Sequence, residues 1–132
     1  MSQENVELIR QAYEAWNEDG PESITRFWAE DAELHDPPTL PDRRVVRGRD
    51  AVVAHLTDQV KVVGAMKLTP VEVRARGNAV VLRMEVTMHG AESGLDVPGE
   101  IAQVLEIADG RIQRLRNFMT WEEALEAAGL RE

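Results

Sequence analysis

The 132 residues suffice for one domain with its own core and leave little room for a second. The absence of cysteine excludes disulfides, thiolate nucleophiles, iron–sulfur clusters and cysteine-ligated zinc. A formal charge of −9 repels phosphate backbones and argues against nucleic-acid binding. No stretch is apolar for long enough to span a membrane, and the polar Met1 to Arg10 does not read as a signal peptide. The expectation is a single soluble domain, 1–132, in a reducing cytoplasm.

The chain opens with a helical pattern. Val6, Ile9, Ala12, Tyr13 and Trp16 recur at three- and four-residue spacing between Glu4, Glu7, Arg10 and Glu14. Asp19-Gly20-Pro21 stops it, and Pro21 opens a short second helix with Ile24, Phe27 and Trp28 as its apolar stripe. Ala32 to Asp36 reads as a short strand ended by Pro37-Pro38, followed by a polar loop from Thr39 to Arg49. Asp50 is placed to cap a third helix carrying Val52, Val53, Leu56, Val60 and Val63, which Gly64 ends.

From there the period changes to two. Met66 to Arg76 is a strand turned at Gly77-Asn78, and Val80, Leu82, Met84, Val86 and Met88 alternate with mostly polar residues on the next. A glycine-rich connection from Gly90 to Gly99 leads to a strand from Ile101 to Ile107. Asp109-Gly110 makes a tight hairpin into a last strand, Ile112 to Met119. Thr120 with Glu123 forms a capping box for a final helix ending at Gly129. Helices first and an antiparallel meander later imply an α+β fold with the helices on one face of the sheet. No parallel βαβ repeat and no phosphate-binding glycine motif supports a nucleotide fold.

Several local signatures then stand in a fixed order: Tyr13-Glu14-Ala15-Trp16-Asn17, Phe27-Trp28-Ala29-Glu30-Asp31-Ala32, His35-Asp36-Pro37, Gly48-Arg49-Asp50-Ala51-Val52 and Asp109-Gly110-Arg111-Ile112. Together they resemble the nuclear-transport-factor-2-like superfamily, and within it the SnoaL-like group related to polyketide cyclases and ketosteroid isomerases. The resemblance covers nearly the whole chain. It implies a cone: a curved, mixed, mostly antiparallel sheet (a cystatin-like roll) with helices on its concave face and one apolar pocket. Such folds host catalysts and non-catalytic binders alike, so function has to be argued from the site.

Asp36 occupies the position of the isomerases' general base in that resemblance. A carboxylate lining an apolar cavity is suited to taking a proton from carbon beside a carbonyl. The alternative is an aspartate that caps the turn into Pro37-Pro38. The resemblance puts the isomerases' oxyanion-donating tyrosine at Ala12, with Tyr13 one residue on, and their buried aspartic acid near Gln103. It turns Leu115, Asn117 and Met119 into the cavity and leaves Arg114 and Arg116 outside. The catalytic candidates are therefore Asp36, Gln103 and Asn117. Asn117 is equally readable as a satisfied structural asparagine. Tyr13, Trp16, Trp28, Met84, Met88, Leu115 and Met119 are the candidate ligand-binding wall, or simply core.

The three histidines show no metal-ligand spacing, so neither metal nor cofactor is expected. His35 has the opposite strand parity to Asp36, and His55 is expected on an exposed helix face. Trp121 is a candidate lid or dimer contact. Val81, Val104 and Phe118 on the outer strand faces suggest a homodimer. Two function classes follow. One is a cofactor-free isomerase, cyclase or dehydratase acting on a small apolar carbonyl compound; the other is a non-catalytic binding or dimerisation module. An epoxide hydrolase is a weaker third, since its Asp-Arg-Asp set would need Arg114 or Arg116 inside.

Overall fold

The computed structural model describes residues 2–90 and 94–130. Helix α1 (Ser2–Asp19) buries Ile9, Ala12, Tyr13 and Trp16, the stripe its spacing predicts. Gly20, with φ 73°, breaks it, and a 3₁₀ turn containing Pro21 leads into the single-turn helix α2 (Ile24–Phe27). Trp28 is not part of that helix. It opens strand β1 (Trp28–His35), four residues before the start the sequence suggests. Its register partner is Ile112, so a pairing remote in sequence overrides the local helical pattern.

The polar loop after Asp36 contains a short strand, β2 (Val45–Arg47), which pairs antiparallel with β1 and sets Arg47 opposite Glu33. Helix α3 (Arg49–Val63) is capped by Gly48 rather than Asp50, which lies in its first turn. Gly64, at φ 88°, ends it. Four long strands follow: β3 (Ala65–Arg76), β4 (Ala79–His89), β5 (Asp96–Ala108) and β6 (Arg111–Phe118). Strand β5 begins inside what reads as the glycine-rich connection, because Val97 and Gly99 pair with Met88 and Val86 of β4. The middle of that connection, 91–93, falls outside the described residues. At the last hairpin Asp109 and Gly110 both have positive φ, 52° and 71°, as a type I′ turn requires.

The sheet order is β2-β1-β6-β5-β4-β3, with β1 parallel to β6 and every other pair antiparallel. Register shifts interrupt β1–β6 between Trp28 and Glu33, β3–β4 between Pro70 and Glu72, and β5–β6 between Glu106 and Ile107. Each bends its strand, and the sheet curls around α1 to α3. The β5–β6 shift also swaps parity on β6, so that buried Ile112 and buried Leu115 both belong to the concave-side core.

One feature corrects the expectation of helices on one face. Helix α4 (Trp121–Ala127) packs on the convex side, where Ala124 and Leu125 meet Val81, Ala102, Val104 and Phe118. Its start is the predicted cap: Thr120 Oγ accepts the Glu123 N–H at 3.1 Å. The apolar residues that suggest a homodimer are thus covered by the chain's own last helix. Trp121 packs in that outer cluster, 5.8 Å from the Arg74 guanidinium, and is no lid on the cavity. Elsewhere the convex face carries ion pairs. Glu33 meets His35 at 2.8 Å and Arg47 at 3.3 Å, and Glu106 meets Arg114 at 2.5 Å and Arg116 at 3.8 Å. The hydrogen bond from His35 holds the Glu33 carboxyl below its ordinary range, and that from Arg114 does the same for Glu106. No helix among the described residues is long and apolar enough to cross a membrane.

Candidate functional site

The concave side is hollow because its helices stand at the margins. Helix α1 packs chiefly on β3 and β4, and α3 chiefly on β1, so the middle strands β5 and β6 have little helix above them. Side-chain bonds to the open edge of β3 fix α1 there. Trp16 Nε1 donates to the Met66 carbonyl at 2.9 Å, and the Asn17 amide both donates to and accepts from the Leu68 backbone at 2.8 Å. These satisfy backbone groups that an edge strand otherwise leaves open. The result is a cavity of about 480 Å³ walled by α1, α2, α3 and the sheet, within the size range of small-molecule sites.

A directed chain of hydrogen bonds crosses its polar wall. Tyr13 Oη donates to Gln103 Oε1, Gln103 Nε2 to Asn117 Oδ1 at 2.8 Å, and Asn117 Nδ2 to the His35 carbonyl at 3.3 Å. The last partner fixes the direction of all the others. A backbone carbonyl only accepts, so Asn117 must turn its nitrogen to His35 and its oxygen to Gln103. Gln103 must then present its own oxygen to Tyr13. Burial pushes the Tyr13 hydroxyl far above its ordinary pKa, so it stays a neutral donor. Each amide nitrogen has a second N–H that this chain does not use.

Asp36 stands at the end of this row. It follows His35, which pairs with Arg116, and so falls level with Asn117, itself paired with Gln103. Asp36 thus lies just past the end of β1, beside the paired Asn117 and Gln103 of β6 and β5. One Asp36 oxygen accepts the Arg44 N–H at 3.0 Å, with the Arg44 guanidinium 3.9 Å away. The Asp36 N–H donates to the Arg44 carbonyl at 3.0 Å, closing the loop between them. The carboxyl therefore bonds backbone, but across the loop to Arg44 rather than at the Pro37-Pro38 turn. Its side chain is 19% exposed, and it still lines the cavity.

Residues 9–115 match the SnoaL-like domain. The chain belongs to the SnoaL-like family. No curated protein matches it. Among solved structures, this SnoaL-like chain is similar to an NTF2-like protein of Burkholderia pseudomallei K96243, at 19% identity and TM-score 0.77 over 96% of this chain and 97% of that one. It is also similar to TerC, co-crystallised with polyporic acid, at 20% identity and TM-score 0.75 over 93% and 98%. A third is a Catenulispora acidiphila protein of ketosteroid isomerase-like fold, in complex with trimethylamine, at 15% identity and TM-score 0.74 over 95% and 94%. At these identities the likeness is one of fold: a curved sheet and helices around a pocket of the kind that accommodates small molecules.

All ten candidate residues of this SnoaL-like domain stand on the cavity wall: Asp36, Gln103, Asn117, Tyr13, Trp16, Trp28, Met84, Met88, Leu115 and Met119. Arg114 and Arg116 are bound to Glu106 outside, which removes the arginine an epoxide hydrolase reading needs. His35 pairs with Glu33 on that same outer face. His55 is not exposed as its helix position suggests; its Nε2 is buried and unpartnered among the described residues. Ala12 and Tyr13 both line the cavity despite the turn of the helix between them. Sequence reasoning misses Leu40 and Gln59 at the mouth. Gln59 carries a usable signal, a polar residue at the three- and four-residue spacing of Val52, Leu56 and Val63.

Proposed function

We propose that the cavity binds a small apolar molecule through one carbonyl oxygen, and that Asp36 takes a proton from the carbon beside it. The observation that carries this is that Asp36, just past the end of β1, and the paired Asn117 and Gln103 of β6 and β5 line one cavity. The spare N–H groups of the two amides are donors for the oxygen and for the negative charge that grows on it as the proton leaves. The aromatic and methionine wall excludes water and adapts to an irregular guest. No cofactor enters the step: the proton moves from carbon to the carboxylate and returns to carbon, to oxygen or to a leaving hydroxyl.

A second reading, binding without chemistry, is favoured by a specific observation. Asp36 already accepts the Arg44 N–H, and the amides are bonded to one another. Deuterium exchange separates the two. 2-Decalone in D₂O, followed by NMR, is expected to exchange its α-hydrogens faster with the native protein. Asp36→Asn should lower that acceleration by about 10²-fold or more. Binding of the ketone with no acceleration would leave the second reading.

A further inference from the structure

Resting on the carbonyl-binding reading and sharpening it, we propose that the cavity takes uncharged ligands and rejects apolar acids, with Asp36 setting that preference. Among the described residues the wall carries two charged groups, Asp36 and Glu100, and no Lys, Arg or His. Glu100 lies on β5 with parity opposite to Gln103 and Ile101, and its carboxylate is 3.3 Å from Arg83 on the neighbouring strand. Its charge is directed away from the cavity. Asp36 is left as the one formal charge inside among the described residues.

The cations nearest the site do not reverse this. Arg44 is 3.9 Å from Asp36, but its side chain is 68% exposed, against 19% for Asp36. Water screens the guanidinium more than the carboxylate. Arg49, at the start of α3, is turned to the Trp28 carbonyl at 3.3 Å. What the wall offers an oxygen is a pair of neutral amide N–H groups. These suffice for a ketone. A carboxylate would lose its hydration with no cation to replace it and a like charge nearby. The net charge of −9 acts in the same direction at longer range. Neighbouring folds have been seen with ligands named as an acid and as an amine, so the preference has to reside in these side chains and not in the architecture.

The test compares 2-decalone with decalin-2-carboxylate by isothermal titration at pH 7, against the native protein and Asp36→Asn. The native protein is expected to bind the ketone about tenfold or more tighter than the carboxylate. Asp36→Asn should shrink that ratio about fivefold or more through a gain in carboxylate affinity. Should the variant not fold, the native protein alone decides: carboxylate affinity should rise between roughly 20 mM and roughly 500 mM salt as the repulsion is screened. Equal or tighter binding of the carboxylate by the native protein overturns the inference and leaves carbonyl binding intact, as does a ratio that neither the variant nor salt moves. Binding of neither probe overturns the carbonyl reading and this inference with it.

Discussion

On the convex face of the sheet, α4 lowers Ala124 and Leu125 directly onto Val81, Ala102, Val104 and Phe118. On the concave face, α1 and α3 stand over opposite margins, and a cavity of about 480 Å³ remains between them and the middle strands. The same strands supply both faces through alternate residues. Val104 is sealed in packing, and its neighbour Gln103 looks into open space. What differs is how the helices are held. Helix α4 is short and laid flat by apolar contact, whereas α1 is tied by Trp16 and Asn17 to the backbone of the edge strand. Polar anchoring at an edge keeps a helix from collapsing onto the centre, so the hollow is built into the fold.

The most direct way to break this comparison is to truncate one leucine on each face. Leu125→Ala on the filled face should cost about 3 kcal/mol, because a void opens where none existed. Leu115→Ala on the cavity wall should cost about 1–2 kcal/mol, since part of its surface already faces empty space. Urea unfolding of the two variants measures the difference; equal losses would mean that the hollow is filled. Next in size is Tyr13→Phe, which leaves Gln103 Oε1 buried without its donor and should cost about 1–3 kcal/mol. It should also weaken ketone binding, which a stability effect alone does not require. Thr120→Ala removes the cap of α4 and should cost about 1 kcal/mol while leaving ligand affinity unchanged.

The smallest effect concerns pH. Glu33 and Glu106 titrate lower in the fold than in the open chain. Each therefore adds stability above the ordinary carboxylate range, near about pH 4, and loses it as the pH falls through that range and below. The effect is modest because both groups are about a third exposed and screened by water. The urea midpoint should drop between about pH 6 and about pH 3, and Glu106→Gln should lessen the drop.

Local order made most of the architecture legible. The apolar spacing from Val6 to Trp16, the alternation from Val80 to Met88, the Asp109-Gly110 turn and the Thr120/Glu123 cap each express a rule confined to a few neighbouring residues. The misreadings share a cause. Trp28, Val45 to Val46 and Val97 to Gly99 are strand because remote strands pair with them, and their own neighbourhoods carry no such signal. The resemblance implies Asp36, Gln103 and Asn117 as site residues, whereas the Tyr13–Gln103–Asn117 hydrogen-bond chain is not legible in the sequence, since its members lie 90 and 14 residues apart.

By itself, then, the sequence determined most of the helices and strands and the existence of one apolar face, because periodicity is a short-range property, while the grouping of Asp36, Gln103 and Asn117 came from the resemblance to a family. Only the tertiary structure decided that the outer apolar stripe is covered by α4, that the two amides face one way, and that Asp36 leans on Arg44. Those depend on which distant groups meet, and a hydrogen bond has no direction until both of its partners are in place.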